Sequence, residues 1–185
     1  YSGSGSLTVG ASGLSQVAGT FTAGSAAVDL NGGFSLTGGT FTAPSGTMTL
    51  AGNFTHSGGT FTHNSGTIEF DGASAQTING SSDTTFGTLK KNTAQALTIG
   101  DATSANRTIT AGTFTWTDNN DAITVGNGQA VTFDVNGNLV IAAGCTLTTT
   151  SAGTIALAGN WTNSGTYTAN SGAVTITIGG RSPPI

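Results

Sequence analysis

At 185 residues, with 36% apolar and only 6% charged side chains, the chain is long enough to bury a core, as one domain or one elongated array. Its formal charge of −4 leaves Lys90, Lys91, Arg107 and Arg181 as the only cations, too few to release counterions from a phosphate backbone or to hold an anionic lipid surface, so neither nucleic acid nor membrane is expected as a partner. No apolar run reaches the roughly 18 residues of a membrane helix, and Cys145 stands alone, which rules out a disulfide or thiolate zinc cluster within the chain.

Along the chain, the first short alternating segment is Leu7-Thr8-Val9. Three gap-free copies of a twenty-residue unit follow, LSQVAGTFTAGSAAVDLNGG from Leu14, FSLTGGTFTAPSGTMTLAGN from Phe34 and FTHSGGTFTHNSGTIEFDGA from Phe54. Each holds three segments of period-two alternation, which puts the apolar members on one face of a strand. In the third copy they are Phe54-Thr55-His56, Thr60-Phe61-Thr62 and Ile68-Glu69-Phe70. Gly58-Gly59, Asn64-Ser65-Gly66 and Asp71-Gly72 between them are turn chemistry. Three short strands joined by sharp corners make one roughly triangular coil. A single such coil cannot bury its apolar side chains, whereas a stack of coils buries them as ladders and satisfies each strand's backbone on its neighbours.

From about Ser74 to Asn138 the style persists and the register is lost. Strand candidates are Ala75–Ile78, Thr85–Leu89, Ala96–Ile99, Thr108–Thr110, Thr113–Trp116, Ala122–Val125 and Val131–Phe133, with longer loops between them. Copies then return, LVIAAGCTLTTTSAGTIALAGN from Leu139 and WTNSGTYTANSGAVTITIGG from Trp161. Alignment predicts three ladders: Leu14, Phe34, Phe54 and Trp161; Phe21, Phe41, Phe61 and Tyr167; and Val28/Leu30, Met48/Leu50, Ile68/Phe70, Ile155/Leu157 and Val174/Ile176. No stretch carries the spacing of an amphipathic helix longer than a turn or two. The expectation is one all-β solenoid over residues 1–185, with regular coils over 14–73 and 139–180, irregular coils over 74–138, and almost no helix.

The run SGGTFTHNSGTIEFDGASAQTINGSSDTTFGTLKKNTAQALTI, Ser57 to Ile99, resembles the degenerate Gly/Thr/Asn-rich repeats of large bacterial surface proteins. These include filamentous-haemagglutinin-like adhesins and autotransporter passenger domains. The resemblance implies a right-handed parallel β-helix, an extracellular or cell-surface location, and a structural or adhesive role rather than an enzymatic one.

Candidate chemistry is sparse. Polysaccharide lyases and hydrolases with a similar fold gather acids and bases on one face, whereas Asp29 and Glu69 fall at outward strand positions, with Thr49 between them. His56 and His63 lie on different strands, read as exposed strand-end or corner residues, and two histidines make a poor metal site. Asp118-Asn119-Asn120-Asp121 reads as a polar turn rather than a calcium loop. No cofactor or metal is expected. The threonines Thr20/Thr22, Thr40/Thr42, Thr60/Thr62 and Thr166/Thr168 flank inward aromatics and would form a flat lateral lattice. That lattice resembles the threonine arrays of ice-binding β-solenoids, which leaves ice or carbohydrate binding as an alternative and a carbohydrate-active enzyme as a second one. Leu7, Thr8 and Val9 at one end, with Val174, Thr175 and Ile176 at the other, form strands without an obvious cap. They suggest end-to-end stacking between copies, or continuation into neighbouring repeats, so the expected partner is the chain itself, with surface glycans as a further one.

Overall fold

The computed structural model describes residues 5–101, 106–117 and 120–176. They form stacked parallel coils of about 21 residues in about eight turns, with no helix, which is a β-solenoid. Each coil contributes one strand to each of three faces. The first face is a single eight-stranded parallel sheet running from Leu14–Gln16 through Phe34–Leu36, Phe54–His56, Gln76–Asn79, Leu97–Ile99, Ala122–Val125 and Thr146–Thr149 to Thr166–Ala169. The second face begins with Thr20–Thr22, Thr40–Thr42 and Thr60–Thr62 in exact register. The third begins with Leu7–Val9, Val28–Leu30, Thr47–Leu50 and Thr67–Phe70.

In the middle of the rod, two strands turn a corner without a loop. Thr84–Lys91 pairs through residues 88–91 with Thr67–Phe70 on the third face, and through residues 84–86 with residues 109–111 on the second. Arg107–Trp116 does the same one coil later. The pivots are Gly87 and Gly112, members of a glycine column (Gly46, Gly66, Gly87, Gly112, Gly137, Gly159) in which each glycine packs on the backbone of the one before. Hydrogen bonding therefore joins strands of two faces into one nine-stranded sheet. Beyond the corner, the second face continues through Val131–Val135 and Gly153–Leu157 to Ala173–Ile176. The third continues through residues 113–116, against which Leu139–Ile141 packs, to Trp161–Asn163.

This corrects the expected ladders at the C-terminal end. Trp161 lies on the third face, in register with Leu139, and not in the column of Phe34 and Phe54. Tyr167 lies on the first face, in register with Leu147, and not above Phe61. Ile155 and Val174 continue the second-face column of Thr84, Ile109 and Phe133 rather than that of Met48 and Ile68. The copy starting at Trp161 is one strand out of phase with the first three. All three faces share the same apolar–polar alternation, so sequence alignment matches them at any phase.

The core is continuous along the axis. Phe41 is fully buried between Phe21 and Phe61, with ring centroids 4.8 and 6.0 Å away and each pair of rings 5° from parallel. Phe34 meets Phe41 edge-on at 4.6 Å, and Phe54 meets Phe61 at 5.3 Å, which ties the first face to the second. Such edge and offset contacts add about 0.5–1.5 kcal/mol per pair beyond burial. Cys145 is buried in this core, as a small apolar residue would be. The central coils are the longer ones: Phe54 pairs with Ile78, 24 residues on, and Ile99 with Val125, 26 on. Residues 177–180 of the last expected coils lie outside the described residues.

Candidate functional site

The predicted threonine lattice is real over three coils and does not extend as expected. Thr20, Thr40 and Thr60 stack in one column and Thr22, Thr42 and Thr62 in another, on either side of the phenylalanine column. The rings beneath, Phe21, Phe41 and Phe61, stack within 5° of parallel from one coil to the next. Further along the second face the outward columns are Thr85, Thr110, Asp134, Ala156 and Thr175, and Thr108, Thr132, Thr154 and Ala173, a lattice interrupted by an acid and by alanines. Thr166 and Thr168 are elsewhere. They stack on Thr146 and Thr148 of the first face, where Thr77, Thr98 and Thr124 continue the Thr148 column.

On the third face the outward column reads Thr8, Asp29, Thr49, Glu69, Lys90, Thr115. Its polar groups satisfy one another along the stack. The Thr49 hydroxyl donates to Asp29 Oδ1 at 2.9 Å, and Glu69 Oε1 accepts from Lys90 Nζ at 3.1 Å and from Asn92 Nδ2 at 2.6 Å. Asp71 sits close by, and burial, reinforced by the charges of Asp29 and Glu69, pushes its carboxyl above the usual range. The acids form a ladder with one cation set into it. Among the described residues no three His, Cys, Asp or Glu side chains converge as metal ligands.

His56 is not the exposed strand-end residue the sequence suggested. It is 4% exposed, because alternation from Phe54 turns it inward. Its Nδ1 lies 2.9 Å from the Thr84 hydroxyl, and burial lowers its pKa, opposed by a weaker Gly59 backbone hydrogen bond. His63 is at the corner as expected, where its Nδ1 accepts the Ser65 amide at 2.9 Å. Asn64 and Ser65 beside it hold positive φ, 48° and 57°.

Sequence reasoning missed the polar side chains inside the coil. Gln76 is buried with its amide fully used: Nε2 donates to the Leu50 and Gly52 carbonyls at 2.8 and 2.7 Å, and Oε1 accepts from Gly72 at 3.1 Å. Arg107 lies 3.7 Å from Asp101, and burial lowers its pKa against the opposing pull of that acid. Lys91 is fully buried against Asp121, and Trp116 Nε1 donates to Asp121 Oδ1 at 2.6 Å. The alternation carried the signal, since Leu89 and Ile109 point inward and residues two away must do so too. The polar turn expected at Asp118 to Asp121 therefore gives up Asp121 to the core, while Asp118 and Asn119 lie outside the described residues.

Among the concavities of the described surface are two of about 300 Å³ each. One is lined by Asp83, Arg107, Thr108, Val131 and their neighbours on the second face. The other is lined by Trp161, Asn163, Tyr167 and Val174 of the last described coil. There Trp161 and Tyr167 stand edge to face at 5.1 Å. At this end the described strands pair on one side only, as Leu7–Val9, Leu14–Gln16 and Thr20–Thr22 do at the other. No helix among the described residues is long and apolar enough to cross a membrane. Set against family models, curated proteins and solved structures, the chain finds no match.

Proposed function

We propose that this chain is a non-enzymatic, extracellular structural or adhesive module whose coils continue end to end, as the subunit of a fibre or as part of a longer solenoid. The observation that carries the reading is that, among the described residues, the strands of the first and last coils pair on one side only. Strand edges of this kind template a further strand. The coil that fits best is one of the same kind, since it continues every column in register. With so few charges, repulsion between approaching copies is weak. The extracellular placement rests on the resemblance of Ser57 to Ile99 to bacterial surface repeats.

The hydrogen-bond phase tells where to test this. Leu7 N donates to Ala27 O and Val9 O accepts from Asn31 N, so the intervening Thr8 amide faces the open side. Thr166 N donates to Cys145 O and Asn170 N to Thr149 O, so the Ala169 amide faces the other open side. Proline at Thr8 and at Ala169 removes those donors while sparing the internal ladders. The wild type is expected to form linear oligomers whose size rises with concentration, visible by electron microscopy, and the double variant to stay monomeric. Equal assembly by both proteins, or a wild type that stays monomeric at every concentration, would overturn end-to-end stacking.

A second reading is favoured by the in-register threonine columns of Thr20 to Thr62: a lateral face that binds ice or a carbohydrate. Ice-crystal shaping or glycan retention by the wild type, abolished in a Thr22→Lys, Thr42→Lys, Thr62→Lys variant, is the expected result under that reading. Activity unaffected by those changes would remove it.

A further inference from the structure

One inward column of the third face reads Val9, Leu30, Leu50, Phe70, Lys91, Trp116. Lysine stands where every neighbouring coil has an apolar side chain, and it is fully buried there. Taking an ammonium and a carboxylate out of water costs several kcal/mol each, and an apolar pair of the same volume often serves stability better. A packing role alone therefore does not account for a lysine at this position. Its Nζ is in contact with Asp121 Oδ2, and both side chains are sealed from solvent. The other carboxylate oxygen, Oδ1, receives the Trp116 indole N–H at 2.6 Å.

We infer that Lys91 and Asp121 are the two halves of an intramolecular amide cross-link, formed after the coils have stacked. The arrangement supplies each part of the reaction. The reacting form is a neutral amine facing a neutral acid, reached by moving one proton across the contact from the Lys91 ammonium to Asp121 Oδ2. The Nζ lone pair attacks Cγ, and negative charge develops on Oδ1, where the Trp116 N–H is already aimed to stabilise it. A second Nζ proton goes to Oδ2, the Cγ–Oδ2 bond breaks and water leaves. One N–C bond forms, one C–O bond breaks, and the ammonium and carboxylate become an amide plus one water, with no oxidant, metal or external reagent. Holding the groups in contact supplies the proximity that makes a condensation unfavourable in water run forward here.

The bond would join strand Thr84–Lys91 to the segment entering Ala122–Val125, and so tie successive coils together at the middle of the rod. The inference does not depend on the fibre reading.

Intact-mass measurement of the folded full chain is expected to show a mass one water below that of the sequence. Chymotryptic digestion should then yield a branched fragment joining the residues around Lys91 to those around Asp121. Lys91→Met, which suits the apolar column, is expected to show the full sequence mass and no branched fragment. Trp116→Phe keeps the ring and loses the N–H, and is expected to accumulate the linked form more slowly than the wild type. A folded wild type of full mass, or one that is a water lighter without the branched fragment, overturns the cross-link and leaves a buried ion pair.

Discussion

At the scale of single residues, inside and outside are separated by one position, and the consequences are large. Phe41 is fully buried between two parallel rings, so Phe41→Ala removes a large apolar surface and leaves a hole that rigid neighbouring coils cannot fill. The expected loss is about 3–5 kcal/mol, against well under about 1 kcal/mol for Thr42→Ala on the outer face. Urea denaturation of both variants checks this, and equal losses would contradict the burial pattern. His56 adds a pH dependence. Its folded pKa lies below the ordinary 6.5, so the unfolded chain binds more protons in the window beneath that value. The stability that neutral His56 contributes is complete above pH 6.5 and is lost as pH falls from there through the lowered folded pKa. His56→Leu, which repeats the Leu36 of the preceding coil, is expected to flatten that part of the stability–pH curve. An unchanged slope in the variant would assign the acid sensitivity to another group. Asp71 acts in the opposite sense, because its raised pKa favours the folded state at low pH.

At the scale of the coil, corners decide how strands are distributed among faces. In the first three coils the second and third faces are joined by loops of several residues, such as 63–66 between Thr60–Thr62 and Thr67–Phe70. In the next two, a single glycine makes that corner, while the corners from the third face to the first lengthen from three residues (51–53) to five (71–75 and 92–96). What constrains these glycines is contact rather than backbone angle, as none of the column has positive φ. A Cβ on Gly112 would lie 2.7 Å from the Gly87 carbonyl oxygen, whereas one on Gly137 would stand 3.5 Å from that of Gly112. Gly112→Ala is therefore expected to cost about 1–3 kcal/mol through forced backbone shifts. Gly137→Ala should be neutral, or stabilising by up to about 1 kcal/mol through reduced freedom of the unfolded chain. The ordering of the two midpoints in denaturant is the check. The same corners explain what was legible in the sequence. The TFT, FSL and VDL segments reveal strands, inward residues and period wherever corner lengths repeat. Past Phe70 the corners change length, and nothing in T-x-T or x-V-x-I says which side of the triangle a strand lies on. Trp161 and Tyr167 thus stand one face from where alignment predicts them, although both pack inward against the core as predicted. Lys91 lies two residues beyond the predicted strand Thr85–Leu89, and Asp121 at the end of the predicted polar turn, so neither is expected inside.

At the scale of the whole molecule, the solenoid is a one-dimensional stack, and its stability is set by interfaces between neighbours. A coil in the middle has two such interfaces and a coil at either described end has one. Opening the strand Leu7–Val9 breaks pairing with Val28–Leu30 alone, while opening Thr84–Lys91 breaks pairing with strands on both sides. The middle also holds the longest strands, Thr84–Lys91 and Arg107–Trp116, together with the Lys91–Asp121–Trp116 cluster. Local opening should therefore start at the ends and run inward, with the free energy of opening rising toward the centre. Amide hydrogen exchange on the monomer tests this. Protection is expected to be greatest at Leu89, Ile109 and Phe133 and to fall toward Val9 on one side and Thr168 on the other. Assembly changes the pattern in a specific way. If copies stack through their ends, the slow-exchanging centre stays as it is, while the Thr8 and Ala169 amides, which face the open sides, become protected. Protection gained along the threonine face of Thr20 to Thr62 instead would mean that copies meet side by side. A terminal strand that exchanges as slowly as Leu89 in the monomer would mean that stability in this rod does not accumulate coil by coil.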